Sequence, residues 1–307
     1  MENNIGVNDV GGFLNAVDSI RKEWMSQEPE LKAWDELWFR GEGHAYPETK
    51  LRPALYRPAK DEIPKQPKDL IAIEDDLYQH FQHNSTELAR EESVSEDADD
   101  AWGSYFLMQH YGGPTRLLDW SDGALISLHF ALKDENNSGL DRFVYVLDPY
   151  WLMDYLNDET KEYEMAVRDW GAYCANHLTA GLDVDDWDQI YIPDEDGHEE
   201  LPIPELPLVL EFDHFARRIS AQRSRFVVMG TKSDFFSELL MREDSRLKSI
   251  VIDKDSVIPM RTQLRDAGIT ESVIYPNLDG LGRELKQLWA ERLREPSKPS
   301  DELQKKL

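Results

Sequence analysis

Hydrophobic side chains along this chain follow two spacings, one typical of helices and one typical of strands. Apolar residues that recur every three or four positions predict an amphipathic helix, and apolar residues that alternate or run together predict a strand. The first spacing predicts helices over residues 9–34, 69–90, 101–110, 123–132, 259–269 and 280–293, and a mostly helical stretch over 150–180. The second predicts strands over residues 37–39, 115–120, 142–149, 206–212, 224–230 and 247–253.

The order of these elements predicts an α+β fold, with a single domain built on a mixed β-sheet core flanked by helices. Neither an internal repeat nor a Pro- or Ser-rich linker divides the chain. We therefore expect an N-terminal helical segment over 1–29 and a main domain over 30–293. The main domain contains an acidic helical insertion at about 150–205, and a polar C-terminal tail covers 294–307.

Composition narrows the class of protein. The chain has 307 residues, of which 40% are hydrophobic, and this is enough for a sizeable core. It has no apolar run near the ~18 residues that a membrane span needs, and its N-terminus lacks the basic flank and apolar stretch of a signal peptide. The single cysteine, Cys174, excludes an internal disulfide framework and fits a reducing compartment. We expect a cytoplasmic protein without a membrane partner.

The charge of the chain bears on its partners. A net charge of −27 repels phosphate backbones, so it disfavours nonspecific nucleic-acid binding by the surface as a whole. Much of the acid lies in Arg90–Asp100 and Leu182–Glu200. Such runs commonly serve solubility, and the alternative is that Asp183–Glu200, the core of the acidic insertion, docks a basic regulatory partner or mimics phosphate.

The first candidate site lies in the stretch WFRGEG, where Arg40 ends a short apolar run and precedes Gly41. A guanidinium at a strand end can hold a phosphate or carboxylate with two hydrogen bonds, and a glycine lets a ligand approach the backbone. The alternative is a local ion pair between Arg40 and Glu42. In the next block, LRPALYR, Arg52 and Arg57 either extend this anion site or form internal ion pairs.

The second candidate site is HYGGPTRLLDWS, which leads from the end of a predicted helix through a Gly-Gly-Pro stop into a predicted strand. His110 is the candidate general base, because histidine commonly has this role. The alternative is that His110 caps the last carbonyls of the helix. Asp119 is placed to orient His110 or Arg116. Ser121 or Asp122 can cap the following helix.

A third stretch, RRISAQRSRF over 217–226, carries four arginines before an apolar strand. The arginines either line an anionic pocket or neutralise acidic neighbours. The sequence contains no recognisable metal-binding, Walker A, dinucleotide-binding or nucleophile-elbow motif. The four arginine-bearing stretches, WFRGEG, LRPALYR, HYGGPTRLLDWS and RRISAQRSRF, are therefore the candidates for chemistry.

Five blocks of the chain, in their order, resemble the bacterial FRG domain: WFRGEG, LRPALYR, HYGGPTRLLDWS with the following ALISLHFAL, RRISAQRSRF, and IYPNLDGLGREL. The domain is named for the tripeptide that stands here as Phe39-Arg40-Gly41. The resemblance covers roughly residues 30–290. It implies a place in bacterial toxin–antitoxin or phage-defence systems, in which a basic antitoxin would be a partner for the acidic insertion.

The same blocks bear a weaker resemblance to the NAD-binding core of ADP-ribosyltransferases. It implies that Arg40 holds the NAD phosphates or ribose, with help from Arg52 or Arg116. It also implies that Tyr111 or Trp120 stacks on nicotinamide. The complete implied set of cofactor-binding residues, including the bracing hydroxyls of Thr115 and Ser121, is Arg40, Gly41, Arg52, Thr115, Arg116, Trp120, Ser121, Arg218 and Gln222.

The resemblance leaves the catalytic acid open. In this chemistry the glycosidic bond breaks through an oxocarbenium-like state, whose charge an acid must stabilise. ADP-ribosyltransferases carry a Glu shortly before a strand that ends in an aromatic, and the corresponding stretch here offers Arg218, Gln222 and Phe226. Glu211 lies upstream, and Asp119 comes from another element. The catalytic residues that we predict are His110, Asp119 and Tyr111.

These features lead to one hypothesis and two rivals. The leading hypothesis is an ADP-ribosyltransferase-like effector that uses NAD as its substrate, requires no metal and modifies a macromolecule, either nucleic acid or protein. The first rival is a non-catalytic module that binds a nucleotide or a partner through the same arginines. The second is a nuclease or other phosphoryl-transfer enzyme, which would need a metal held by more carboxylates than Asp119 and Asp122.

Overall fold

A computed structural model describes residues 4–27, 36–43, 50–57, 65–91, 101–133, 140–159, 205–210 and 221–294. Over these ranges the chain forms a mixed seven-stranded sheet flanked by helices, so the predicted α+β class is confirmed. None of the helices in these ranges has the length and apolar character needed to cross a membrane. Most of the predicted acidic insertion lies outside the described residues, as do Arg218 and Glu211.

Six of the seven described strands coincide with predicted strands. They are β1 (Asn4–Val7), β2 (Trp38–Glu42), β3 (Leu117–Ser121), β4 (Arg142–Leu147), β5 (Leu208–Leu210), β6 (Ser224–Val228) and β7 (Leu247–Ile252). Their order across the sheet is β1-β7-β4-β2-β3-β6-β5. β1 runs parallel to β7, and all other neighbours pair antiparallel. The unpredicted strand is β1, which lies at the sheet edge and has only two large apolar side chains among its four residues.

The helices begin and end close to the sequence signals. They are α1 (Val10–Gln27), α2 (Pro67–Glu91), α3 (Ala101–His110), α4 (Ala124–Leu132), α5 (Pro149–Glu159), α6 (Phe235–Leu240), α7 (Val257–Asp266), α8 (Glu271–Ile274) and α9 (Leu278–Arg294). The predicted stop after α3 is confirmed, since Gly112 adopts a φ of 90° and the Gly113 amide donates to the Met108 carbonyl at 2.9 Å. The sequence does not predict α6 or α8, because six and four residues are too few to show helical spacing.

Hydrophobic cores lie on both faces of the sheet, because side chains alternate along each strand. In β2, Trp38 joins the core covered by α2, α3, α5 and α6. The next residue, Phe39, joins the core covered by α1, α4 and α7. Strand β2 lies in the middle of the strand order, between β4 and β3. The FRG tripeptide is therefore held from both sides at the centre of the sheet.

Candidate functional site

A cleft opens where strands β2 and β3 separate. Strand β2 pairs with β4 over all five of its residues, but it pairs with β3 only at Phe39 and Ser121. Next to that pair the Arg40 side chain reaches β3, and its Nη1 donates to the backbone oxygen of Asp119 at 2.6 Å. A side-chain hydrogen bond thus links the two strands where the backbone ladder stops.

The cleft has a volume of about 300 Å³ and combines polar and aromatic walls. Seven of the residues singled out from the sequence line it: Arg40, Gly41, His110, Asp119, Trp120, Ser121 and Gln222. Aromatic rings from several elements form much of the remaining wall: Phe39, Phe106, Phe130, Phe226 and Tyr275. The structure therefore brings the FRG tripeptide and the second candidate stretch to one place, while the roles of these residues stay predictions.

Asp119 contributes an exposed carboxylate to the cleft. Its Oδ2 accepts a hydrogen bond from Gln109 Nε2 at 2.8 Å. Thr115 orients that amide, because its hydroxyl donates to Gln109 Oε1 while accepting from the Leu117 amide. Thr115 thus braces the site through Gln109 and is itself buried away from the cleft. Sequence reasoning missed Gln109, although it directly precedes His110.

His110 and Tyr111 fall on different sides of the cleft boundary. His110 ends α3 and lines the cleft, whereas Tyr111 lies outside it and is 54% exposed. The two rings meet edge to face, with 5.3 Å between their centroids. The turn at the end of α3 directs the Tyr111 ring to the surface, and its role in stacking on a ligand stays a prediction.

The charge of Arg40 is balanced locally, as the alternative reading of this residue proposed. Arg40 Nε donates to Glu42 Oε1 at 3.2 Å, and the Arg40 side chain is 14% exposed. Glu42 is buried and also accepts from Arg57 Nη2 at 2.6 Å and from the Leu51 amide at 3.3 Å. One buried carboxylate therefore serves two arginines, and Arg57 forms the internal ion pair that was one of its two options.

Gly41 serves the contact between strand β2 and helix α4. A Cβ at this position would lie 1.9 Å from the Ser127 carbonyl oxygen and 2.6 Å from the Ala131 nitrogen. The Ser127 hydroxyl also donates to the Phe39 carbonyl at 2.9 Å. The backbone of a helix therefore requires glycine at this position, while the predicted close approach of a ligand to Gly41 stays a prediction.

Arg116 does not line the cleft, although the resemblance implied a place for it beside Arg40. Its side chain is fully buried, and its Nε donates to Glu74 Oε2 at 2.5 Å. Glu74 also accepts from the Arg116 amide at 2.6 Å and from the Tyr105 hydroxyl. Burial and the neighbouring Glu74 carboxylate hold the pKa of Tyr105 well above its usual range. The arginine is thus committed to a buried carboxylate on α2.

The remaining described arginines named from the sequence also lie outside the cleft. Arg52 is half-buried outside the cleft, and its Nε has no hydrogen-bond partner within the described part of the chain. In the basic stretch, Arg223 and Arg225 pair with Asp122, the latter at 2.7 Å, and Arg225 Nε bonds Glu36 at 2.9 Å. The described arginines of this stretch therefore neutralise acidic neighbours. Arg218 lies outside the described residues.

Ser121 and Gln222 hold the floor of the cleft together. The Ser121 hydroxyl donates to the Gln222 carbonyl at 2.7 Å and accepts from the Gly123 amide at 3.1 Å. Gly123, rather than Ser121 or Asp122, is the N-cap of α4, and no side chain caps that helix. Trp120 is 2% exposed and packs against Phe236, so its ring forms part of the wall that belongs to the hydrophobic core.

Tyr275, which the sequence did not single out, forms a wall of the cleft that is held by cations. Lys133 Nζ donates to its hydroxyl at 2.6 Å and lies 4.4 Å from its ring centroid. The Arg283 guanidinium lies 4.3 Å from the same centroid. The sequence signal for this wall was the block IYPNLDGLGREL, which contains both Tyr275 and Arg283, whereas Lys133 comes from a distant part of the chain.

Glu271 anchors this wall from below. Its carboxylate is buried, bonds His129 Nε2 at 3.1 Å and accepts from Arg283 Nε at 3.0 Å. Burial by itself raises the pKa of Glu271, but the hydrogen bonds from His129 and Arg283 outweigh burial and lower the pKa to about 2. The ionised carboxylate therefore fixes the cation that covers Tyr275.

Comparison with known protein families matches the part of the chain that supplies most of the cleft wall. The family model of the FRG domain matches residues 35–139, which span β2 to α4 and include Arg40, Gly41, His110 and Asp119. No curated protein and no solved structure matches the chain. The predicted resemblance to the FRG domain is thus confirmed over residues 35–139.

Proposed function

We propose that this chain is an ADP-ribosyltransferase-like enzyme, which binds NAD in the cleft and transfers ADP-ribose to a macromolecule. One observation carries the proposal: the Asp119 carboxylate, the His110 imidazole and the Arg40 guanidinium line the same aromatic cleft. Glycosyl transfer from a charged nucleotide uses an acid, a base and a cation that lie close together.

The cleft suits the nicotinamide end of NAD. This end is a flat cation, and flat cations bind against aromatic faces and near carboxylates. Phe106 and Phe226 supply rings, and Asp119 supplies the carboxylate. A volume of about 300 Å³ holds this end alone, and the phosphates would lie at the mouth.

The residues of the cleft then have separate duties in the transfer. The bond between ribose C1′ and the nicotinamide nitrogen breaks, and nicotinamide leaves with the bonding electrons. The Asp119 carboxylate stabilises the positive charge that develops on the ribose. A nucleophilic group of the acceptor forms the new bond to C1′, and His110 accepts its proton. In this assignment Asp119 takes the role of the catalytic glutamate that the stretch RRISAQRSRF lacks.

The setting of this reaction also belongs to the proposal. The resemblance to the FRG domain favours a bacterial toxin or phage-defence effector that acts in the cytoplasm on protein or nucleic acid. A basic regulatory or antitoxin partner would dock on Asp183–Glu200, which lies outside the described residues. Opposite charges favour such a complex, because the chain carries a net charge of −27.

The direct test uses the purified chain, NAD labelled in its adenylate moiety, and bacterial cell extract. We expect labelled macromolecules and released nicotinamide with the unaltered chain, and a loss of about 100-fold or more with Asp119→Asn. The matched control is Glu243→Gln, which makes the same change at an exposed carboxylate outside the cleft and should keep full activity. The absence of both transfer and nicotinamide release with every extract would contradict the proposal. Activity that a chelator abolishes would point to metal-dependent phosphoryl transfer instead.

A non-catalytic binding module is the second candidate, and the lack of a glutamate in RRISAQRSRF favours it. The pairing of Arg40 bears on both candidates. Because Glu42 and the Asp119 carbonyl already accept from this guanidinium, Arg40 offers less free charge to a pyrophosphate than an unpaired arginine would. Calorimetric titration with NAD and with nicotinamide mononucleotide separates the two candidates. Binding of either ligand without nicotinamide release supports the module.

A further inference from the structure

Lys133 and Glu271, which hold the Tyr275 wall of the cleft, also line a second cavity. This cavity lies where helices α4, α7, α8 and α9 meet, and no described residue lines both the cavity and the cleft. Its volume is about 40 Å³, which is room for roughly three water molecules. Apolar side chains form part of its wall, and polar or charged side chains form the rest.

The two carboxylates among the described residues of this wall are already engaged. Glu271 bonds His129 Nε2 at 3.1 Å and accepts from Arg283 Nε at 3.0 Å. Glu284 accepts from the Ser272 amide at 3.0 Å. Because Arg283 and Ser272 do not line the cavity, both acids direct hydrogen-bonding capacity away from it.

Three cations line the same cavity within the described part of the chain. Lys133 follows α4, and Arg261 and Arg265 lie on α7. Lys133 Nζ donates to the Tyr275 hydroxyl at 2.6 Å, and Arg261 Nε donates to the Leu132 carbonyl at 2.6 Å. Both acceptors are neutral, so these two bonds orient the cations without cancelling their charge.

The balance of charge around the cavity favours a dianion. If Arg283, which bonds Glu271, is counted and His129 is taken as neutral, four cations face two carboxylates. This surplus of two positive charges occurs in a chain whose net charge is −27. A phosphate group carries between about 1.5 and 2 negative charges at pH 7. Planar guanidinium groups bind its oxygens with paired hydrogen bonds.

We propose that this cavity binds one phosphate group, either as inorganic phosphate or as the end of a phosphomonoester. Arg261 and Arg265 are four residues apart and so lie on one face of α7, from which they would hold the group. Lys133 would hold it from the end of α4. The cavity is too small for a whole nucleotide, so the rest of a phosphomonoester would remain outside. This binding does not depend on the chemistry proposed for the cleft.

Occupancy of the cavity should weaken ligand binding in the cleft, and this coupling, unlike the binding itself, rests on the proposed function. A phosphate that accepts from the Lys133 ammonium competes with the Tyr275 hydroxyl, so the Tyr275 wall loses a contact. By thermodynamic linkage, phosphate and NAD then lower each other's affinity by the same factor, which we expect to be about fivefold.

Isothermal titration calorimetry of the full chain tests the site, with inorganic phosphate and separately with glycerol 3-phosphate, at constant ionic strength in chloride. We expect saturable binding of at least one of them, with a Kd on the order of 1 mM or lower. Arg265→Gln should weaken this binding about tenfold, because a charged hydrogen-bond donor is lost. The matched control is Arg242→Gln, which makes the same change at a half-exposed arginine outside the cavity and should bind like the unaltered chain. Circular dichroism checks that each variant keeps its fold.

The two ligands also distinguish the sources of the phosphate group. Binding of glycerol 3-phosphate alone assigns the site to phosphomonoesters, and binding of inorganic phosphate alone assigns it to the free ion. If neither ligand binds saturably up to about 10 mM, or if Arg265→Gln binds like the unaltered chain, the proposal is overturned.

Titration with NAD in the presence and absence of phosphate tests the coupling separately. An NAD affinity that phosphate leaves unchanged overturns the coupling. A chain that binds phosphate but not NAD contradicts both the coupling and the proposed function, and it supports the phosphate site.

Discussion

Gly41 gives the FRG tripeptide a packing duty besides any chemical one. The two atoms nearest to a Cβ at this position belong to the backbone of α4, so neither could turn aside as a flexible side chain would. Phe39 lies in the core under α4, Arg40 bridges to β3, and Gly41 lets the backbone of α4 approach closely. At the scale of single residues, the tripeptide fixes the geometry around the cleft.

Gly41→Ala should destabilise the fold severely. The added methyl group must push α4 away from β2, and overpacking of this kind costs about 3 kcal/mol in the free energy of unfolding. Urea unfolding measures the change. Gly282→Ala is the matched control, because nothing lies within 4 Å of its Cβ position in α9, and the change should stabilise the helix by about 1 kcal/mol. Equal unfolding midpoints for the two variants would contradict the packing argument.

Gln109→Glu should reduce catalysis more than substrate binding. The change keeps the size of the side chain but replaces the amide that donates to Asp119 with an oxygen that repels it. A carboxylate turned away from the reacting carbon costs up to about 100-fold in kcat, while KM for NAD should change little. Steady-state kinetics of nicotinamide release separate the two constants. A variant with unchanged kcat would remove Gln109 from the site.

At the scale of elements, one wall of the cleft depends on how α8 and α9 attach to α4. Glu271 begins α8, His129 lies in α4, and Arg283 lies in α9, so a single carboxylate joins three helices. Removing one partner from such a buried ionic cluster is costly, because the remaining charge is left without compensation. The position of Tyr275 therefore depends on the ionisation of Glu271.

The stabilisation from Glu271 should disappear in acid. Its pKa in the folded chain is about 2, below the ordinary 4.5, so its contribution is complete above about pH 4.5 and is lost as the pH falls toward 2. This shift corresponds to roughly 3 kcal/mol in the free energy of unfolding near pH 7. Urea unfolding of the unaltered chain and of Glu271→Gln should differ on that order at pH 7. The difference should shrink to less than half of that at about pH 3.

A control for this titration is Asp255→Asn, since Asp255 is an exposed carboxylate in the turn before α7. Its unfolding free energy should follow that of the unaltered chain at both pH values. The difference in unfolding free energy between the unaltered chain and Glu271→Gln could instead stay constant from neutral pH to acid. This result would show that the contacts with His129 and Arg283 do not lower the pKa of Glu271.

At the scale of the whole molecule, charge dominates. The chain has 61 acidic and 34 basic residues, so repulsions between carboxylates outnumber the ion pairs that can offset them. The described ion pairs place arginines beside acids, as at Glu42, Glu74 and Asp122. These arginines are therefore neutralised within the described part of the fold.

Salt should stabilise the folded chain. Screening weakens the repulsion among carboxylates in the compact state, so the free energy of unfolding should rise between about 0.01 M and about 0.3 M salt. The urea midpoint measures this at constant pH. Sodium and potassium chloride should act alike, because screening depends on ionic strength and not on the identity of the cation. A midpoint that falls with salt would mean that ion pairs outweigh repulsion.

The sequence predicts those parts of the fold and site whose signals are local. The glycine stop after α3 and the strand β3 depend on neighbouring residues, and both lie close to where they are predicted. The contrast between Arg40 and Arg116 was beyond sequence reasoning, because the carboxylate that buries Arg116 lies 42 residues away in the chain. For the same reason Tyr275 was missed, since its cation Lys133 is 142 residues distant.

The single backbone pair between β2 and β3 has a consequence for how a ligand would enter. Sheets ordinarily resist bending because each strand is tied to the next by a series of amide hydrogen bonds. Here Phe39 and Ser121 form the one ladder pair, and Arg40 adds a side-chain tie beside it. Side chains can exchange partners with a ligand without unravelling a strand. The width of the cleft at this point therefore depends on one backbone pair and on the Arg40 side chain.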